Sequence, residues 1–221
     1  MICRLLLLLA LATGLAHAQS LSLDAQARGL TAARLVQVRQ AAQKGSPSAQ
    51  ALLAVAYLNG QGVGHDEAQA LAWAQKSAKQ GNADALNVLG TLSIRGVAVR
   101  GDARAAARYF QQAVDRGNAD AMSNLGALYY NGVGVTKDPK RGVDLYTRGA
   151  KKGSDLAMLN LATAYADARY LRPDAARAYA WAWLAADRGN GGGNRLMTLL
   201  KPKMSTAQLS QAAKLKAKLL K

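Results

Sequence analysis

The sequence predicts an all-α fold, a solenoid of helix-turn-helix repeats closed by helical caps. Three observations carry this. Residues 47–82, 83–118, 119–154 and 155–190 align without gaps at a period of 36, and a fixed period of that length marks stacked supersecondary units. Half of the 221 residues are apolar but only 5% are aromatic, a composition of closely packed helices rather than of a sandwich or barrel. The single cysteine, Cys3, lies at the extreme N-terminus, so helix packing without disulfides must hold the fold.

The first segment is expected to be removed. Arg4, the run LLLLLALATGLA and then Ala16-His17-Ala18 have the layout of a secretory signal peptide cut after Ala18. The apolar run is short for a membrane span of about 20 residues, so the mature chain is expected to have no transmembrane segment and to be periplasmic or secreted. Loss of Arg4 leaves 28 basic against 13 acidic residues, a net charge of +15.

Residues 19–46 are expected to supply an N-terminal capping helix over 24–44. Leu30, Leu35, Val38 and Ala42 have helical spacing and Gly45 is the stop. Each of the four blocks then divides into two helices. In the third, Ala121, Met122, Leu125 and Tyr129 fall on one face, and Asn131–Val135 forms the loop. Asp66, Asp102, Asp138 and Asp174 recur in register as N-caps of the second helices, while Gly81, Gly117, Gly153 and Gly189 end them. Ala54, Gly90, Gly126 and Ala162 lie inside the first helices, opposite Ala70, Ala106, Gly142 and Ala178 in the second. A helical Gly costs up to about 1 kcal/mol, so close approach of two backbones must offset it. Residues 191–221 read as a partial repeat and C-terminal capping helix. The run Gly191–Gly193 is expected to be a flexible joint, 194–201 a short helix, and 206–220 the cap, with Ser205 or Thr206 at its N-terminus.

The pattern of Ala121, Leu125, Gly126, Tyr129, Gly132, Gly134, Val135, Asp138 and Gly153, echoed at Ala49, Tyr57, Gly60, Gly62, Val63 and Asp66, resembles the Sel1-like repeat, a relative of the tetratricopeptide repeat. The resemblance covers 47–190 and implies a right-handed α/α solenoid. Two departures stand out. Ser93 replaces the tyrosine of the second block and Ala98 its second loop glycine; Ala168–Pro173 replaces the glycine loop of the fourth.

A search for chemistry finds little. Gly60-Gln61-Gly62-Val63-Gly64 follows a helix rather than a strand and lacks the Gly-Lys-Ser/Thr of a phosphate loop. His65 would be the one histidine of the mature chain, in a turn, and neither a metal site nor a catalytic triad is built from that. The expectation is no enzyme, no cofactor and no metal. Cysteine-rich Sel1-like proteins assigned β-lactam binding or hydrolysis carry a disulfide in each repeat, which this chain lacks.

The partner surface is read from the resemblance. By tetratricopeptide geometry the first helices line the inner wall, where Ala51, Val55, Leu58 and Asn59 would be followed by Asn87, Thr91, Ile94 and Arg95, then by Ser123, Tyr130 and Asn131, then by Leu159, Thr163 and Asp167. Tyr170, like Tyr130, falls outside the core positions and is expected to meet a partner. Arg104, Arg108, Arg141 and Arg148 are expected on outer positions of second helices. The resemblance implies an adaptor or inhibitor that binds another protein. Envelope members of the family include regulators of sensors and immunity proteins against phospholipase effectors. The charge favours an acidic protein; an anionic envelope polymer or lipid is the alternative, and nucleic acid is not expected.

Overall fold

The computed structural model describes residues 23–96, 101–167 and 170–219. The expected leader with its cleavage after Ala18, and the loop residues Ala98, Ala168 and Arg169, lie outside them. Among the described residues the structure is helical, with no strand. The chain divides into two compact units, Met1–Leu92 and Ser93–Lys221.

The first unit begins with α1 (Leu23–Arg28) and α2 (Ala32–Gln43). One continuous capping helix over 24–44 is therefore incorrect. The Thr31 hydroxyl accepts the Arg34 N–H and starts a new helix, after Gly29 has weakened the old one. Both pieces pack on α3 (Pro47–Asn59), which also packs on α4 (Glu67–Ala78). With neighbours on several sides, α3 buries Ala51, Val55 and Leu58 along with Leu53, so those three belong to the core and not to an inner wall. A helix apolar nearly all round is buried nearly all round. Two polar groups stitch α3 to its neighbours: the Ser77 hydroxyl of α4 donates to the Pro47 carbonyl at 2.7 Å, and buried Gln50 of α3 donates to the Ala42 carbonyl of α2 at 3.0 Å. Helix α5 (Ala83–Arg95) runs across the division.

The second unit continues with α6 (Ala103–Asp115), α7 (Ala119–Asn131), α8 (Pro139–Lys151), α9 (Asp155–Asp167), α10 (Ala175–Asp187), α11 (Gly191–Leu200), a 3₁₀ turn at Lys201–Lys203 and α12 (Thr206–Lys216). Successive helices pack as hairpins: α7 on α8, α9 on α10, with α9 also against α7 and α8. The core of this stack holds Tyr146, Met158, Leu161 and Trp181; each large apolar side chain contributes about 1.5–3 kcal/mol over its exposed state.

The capping aspartates act as the sequence predicts. Asp66, Asp138 and Asp174 each accept the backbone N–H three residues on at 2.9 Å, and Asp102 accepts those of Arg104 and Ala105. A second set of caps, unread in the sequence, starts the first helices. Ser46, Asn82, Asn118, Ser154 and Asn190, again at a period of 36, accept N–H groups of the following turn. Two of them also tie the helix they cap to the first helix of the repeat before it: Ser154, at the start of α9, donates to Asp120 of α7 at 2.6 Å, and Asn190, at the start of α11, donates to Asp155 of α9 at 2.9 Å.

The expected close approach of small residues is present in the third repeat. A Cβ on Gly126 would sit 2.8 Å from the Tyr146 ring and 3.0 Å from the Gly142 carbonyl. The Gly191–Gly193 joint, in contrast, does not exist. Asn190 caps α11 directly, these glycines form its first turn, and Gly193 is buried with its α-carbon against the backbone of α10. The last helix ends at Lys216 rather than 220; Ser205 and Gln208 form a reciprocal capping box at its start.

Candidate functional site

The residues expected to meet a partner separate into exposed and buried sets. On α5, Asn87 and Thr91 are half-buried, the Thr91 hydroxyl donating to the Asn87 carbonyl, while Ile94 (42% exposed) and Arg95 face solvent. Asn131 is exposed and donates to the Ala127 carbonyl at 3.0 Å. Leu159 is half-buried against the core, Thr163 is exposed and donates to the Leu159 carbonyl, and Asp167 is half-buried.

Two placements are corrected. Ser123 is fully buried and accepts the Asn160 side-chain amide at 2.9 Å, a link between the third and fourth repeats. Tyr130 is only 6% exposed and belongs to the core. Its ring lies 6.0 Å from that of Tyr146 and meets Tyr170 edge-on at 5.0 Å. The reason is steric: Gly142 has no side chain where the Tyr130 Cβ comes down, and Tyr170 covers the ring from outside. Tyr170 itself remains 40% exposed, with the Lys137 ammonium 4.9 Å from its ring centre.

Among the described residues no group of three His, Cys, Asp or Glu side chains could hold a metal ion. His65 braces its turn: Nδ1 lies 2.8 Å from the Leu58 carbonyl and Nε2 3.8 Å from Glu67. Burial beside Tyr130 pushes the Tyr146 hydroxyl above the ordinary tyrosine range, which keeps it neutral and structural.

A concave feature of the second unit among the described residues lies elsewhere, along α6 and α8. An open cleft of about 760 Å³ is lined by Arg104, Tyr129, Val135 and Arg141. A second, of about 530 Å³, shares Arg104, Tyr129 and Val135 and adds Ala107, Arg108 and Leu125. A third, of about 310 Å³, continues between Gln111 and Asp115 on one side and Arg141, Asp144 and Arg148 on the other. Shared walls make the three one furrow. Gly134 sets its upper end. At φ +71° its α-carbon lies against Ala103, and any Cβ would overlap that residue's backbone. The third loop is thereby seated on the start of α6, bringing Arg104 beside Tyr129. The Arg141 guanidinium stacks 4.2 Å from the Tyr129 ring centre. Sequence reasoning placed these arginines on solvated faces and missed their convergence. The available signal was the use of Arg rather than Lys at four positions one or two helical turns apart.

Comparisons place this geometry among known proteins. A family model described as the Sel1 repeat matches residues 47–82, 83–118, 119–154 and 155–190. A Sel1 repeat protein from Oxalobacter formigenes is similar at 30% identity and a TM-score of 0.62, over 85% of this chain and 79% of that one. A protective antigen of uropathogenic Escherichia coli strains displaying an SLR fold is similar at 26% identity and a TM-score of 0.56, over 83% of this chain and 42% of that one, so this chain spans under half of that antigen. An immunity protein from Pseudomonas aeruginosa shares the fold at 18% identity and a TM-score of 0.55, over 84% of this chain and 75% of that one. No curated protein matches the sequence.

Proposed function

The chain belongs to the Sel1 repeat family, and on that footing we propose that it is an exported adaptor or inhibitor that holds an acidic protein in the bacterial envelope, with no chemistry of its own. Sel1 repeat proteins are protein–protein interaction modules. The observation that supports a binding role here is the furrow itself: a concave surface carrying four arginines over an apolar floor, with no metal-ligand cluster among the described residues. The acidic partner follows from a formal charge of +16 on the full chain, more than solubility requires and enough to speed encounter with anionic proteins at low salt. Export follows from the leader-like segment ending at Ala18. Immunity against a toxic effector and regulation of an envelope sensor are two forms of this role; the shared fold with an immunity protein is compatible with the first.

The test is capture by the tagged mature chain from envelope extract, followed by reconstitution with the purified captured protein. A stoichiometric complex that persists at physiological salt supports the reading. Retention of anionic polysaccharide or lipid alone, lost on raising salt, would replace it with the polymer-binding alternative. Turnover of an offered substrate by the purified chain would overturn the non-catalytic part.

A further inference from the structure

We infer that the furrow between α6 and α8 is a docking site for an extended acidic segment of a protein, anchored by Arg104 and Arg141. The inference rests on the interaction-module reading and names the surface and the chemistry it takes.

The two anchors differ from the other cations of the furrow. Arg108 lies 4.0 Å from Asp102, and Arg148 lies 3.7 Å from Asp144. Asp115 accepts a hydrogen bond from Gln111 at 2.7 Å. No ion pair within 4.0 Å is formed by Arg104 or Arg141 among the described residues; Asp102 turns its Oδ1 to the backbone N–H of Arg104 and Ala105 and feels the Arg104 charge only through space. Arg141 is held in place by Tyr129. Stacking uses the face of the guanidinium and leaves its N–H edge free to fork a carboxylate.

Shape and spacing select the occupant. Arg104 and Arg108 stand one helical turn apart, about 6 Å along the axis, and the exposed 4.0 Å contact of Arg108 with Asp102 is weak enough to be exchanged for an incoming carboxylate once Arg104 and Arg141 have anchored the segment. Alternate side chains of an extended peptide stand about 7 Å apart on one face, so acidic residues at every second position match the arginine row. The intervening side chains would then meet Ala107, Leu125, Tyr129 and Val135, which form the apolar floor. A lipid headgroup or a sugar carboxylate leaves that floor uncovered, and a planar membrane does not enter a furrow flanked by two helices.

The probe is a fluorescent hexapeptide of alternating Glu and Leu, titrated with the full mature chain and followed by anisotropy. Its Gln–Leu counterpart and phosphatidylglycerol vesicles serve as comparisons. The Glu peptide should bind and the Gln peptide should not. Arg104→Ala with Arg141→Ala should weaken binding about tenfold or more, because two charge-assisted contacts are lost. Arg141→Lys, which keeps the charge but not the planar fork, should weaken it as well. Lys151→Ala with Lys152→Ala removes the same charge outside the furrow and should leave binding unchanged. Circular dichroism checks that each variant is folded. No binding of the Glu peptide, equal losses in the two double variants, or vesicle binding with the same arginine dependence would each overturn the proposal. A cognate protein still held by the Arg104/Arg141 variant would also overturn it while leaving the module reading intact. Peptide binding with no protein captured would do the reverse.

Discussion

Gly193→Ala should destabilise the protein, although the same change in an open helix stabilises it. Gly193 lies in the first turn of α11. On propensity alone alanine would gain up to about 1 kcal/mol. The added Cβ, however, would lie 2.5 Å from the Ala182 carbonyl oxygen, 2.8 Å from the Ala186 nitrogen and 3.2 Å from the Ala185 Cβ. Two of these are backbone atoms of α10 and cannot rotate away. Ordinary contacts of this kind are about 3.5 Å, so α11 must retreat by most of an ångström. Overpacking of this type costs about 1–3 kcal/mol. Net of propensity, about 1–2 kcal/mol of destabilisation is expected, a fall in Tm of about 2–8 °C for a chain of this size. The internal control is two residues away: a Cβ on Gly191 meets only the Arg195 guanidinium, at 3.6 Å, so Gly191→Ala should be neutral or slightly stabilising. Thermal and urea unfolding by circular dichroism reads both, and amide exchange localises the loss to α11. A Gly193→Ala protein that melts at or above the parent would refute the close-approach account and restore the flexible joint.

Three further outcomes follow from the same packing. Tyr130→Ala should cost about 3–5 kcal/mol, the range for truncating a buried aromatic ring, so its loss of any binding should track unfolding in a denaturant melt rather than occur in a folded protein. Asp138→Ala should cost about 1 kcal/mol by removing the cap of α8, seen as a lower urea midpoint with unchanged slope. The carboxyl of Asp102 is held below its ordinary value of 3.8, chiefly by the Ala105 N–H, then by that of Arg104 and the nearby arginines, against an opposing desolvation. A depressed folded pKa adds stability that is present above the unfolded value and lost as pH falls through the folded one. The advantage of the parent over Asp102→Asn should therefore shrink on acidification into that range, and a carboxyl titration by NMR should show the midpoint displaced downward.

Features encoded by local chemistry were readable in the sequence. An aspartate at a helix start accepts the N–H groups of the following turn whatever surrounds it, so the four second helices begin where Asp66, Asp102, Asp138 and Asp174 predict. Features decided by contact between elements were not. Leu58, Ile94 and Tyr130 occupy one register position, yet Ile94 is exposed while Leu58 and Tyr130 are buried, because enclosure by the N-terminal helices, by Gly142 and by Tyr170 differs from repeat to repeat. Ser123 read as a wall residue because its partner Asn160 lies 37 residues away. The three glycines at 191–193 carry the same letters for a joint as for a tight crossing; only the position of α10 distinguishes them. The furrow combines two helices and a loop, and a one-dimensional period shows each arginine without its neighbours.

One recurring contact has consequences for how such a chain can vary. The backbone N–H of Asp66, Asp102, Asp138 and Asp174 donates to the carbonyl of the residue nine positions earlier: Tyr57, Ser93, Tyr129 and Tyr165, at 3.0, 3.0, 2.8 and 3.2 Å. The hairpin is thus fastened by main chain to main chain. Replacing tyrosine by Ser93 leaves the fastening in place, and so does exchanging the glycine loop of the fourth repeat for one ending in Leu171-Arg172-Pro173. Between the two fastened points side chains can vary at positions that, unlike Gly134, do not rest on a neighbouring helix. The fastening leaves each hairpin joined through a carbonyl that every residue type carries, so a substitution at Tyr57, Ser93, Tyr129 or Tyr165 changes the surface of a repeat without removing the bond that closes it.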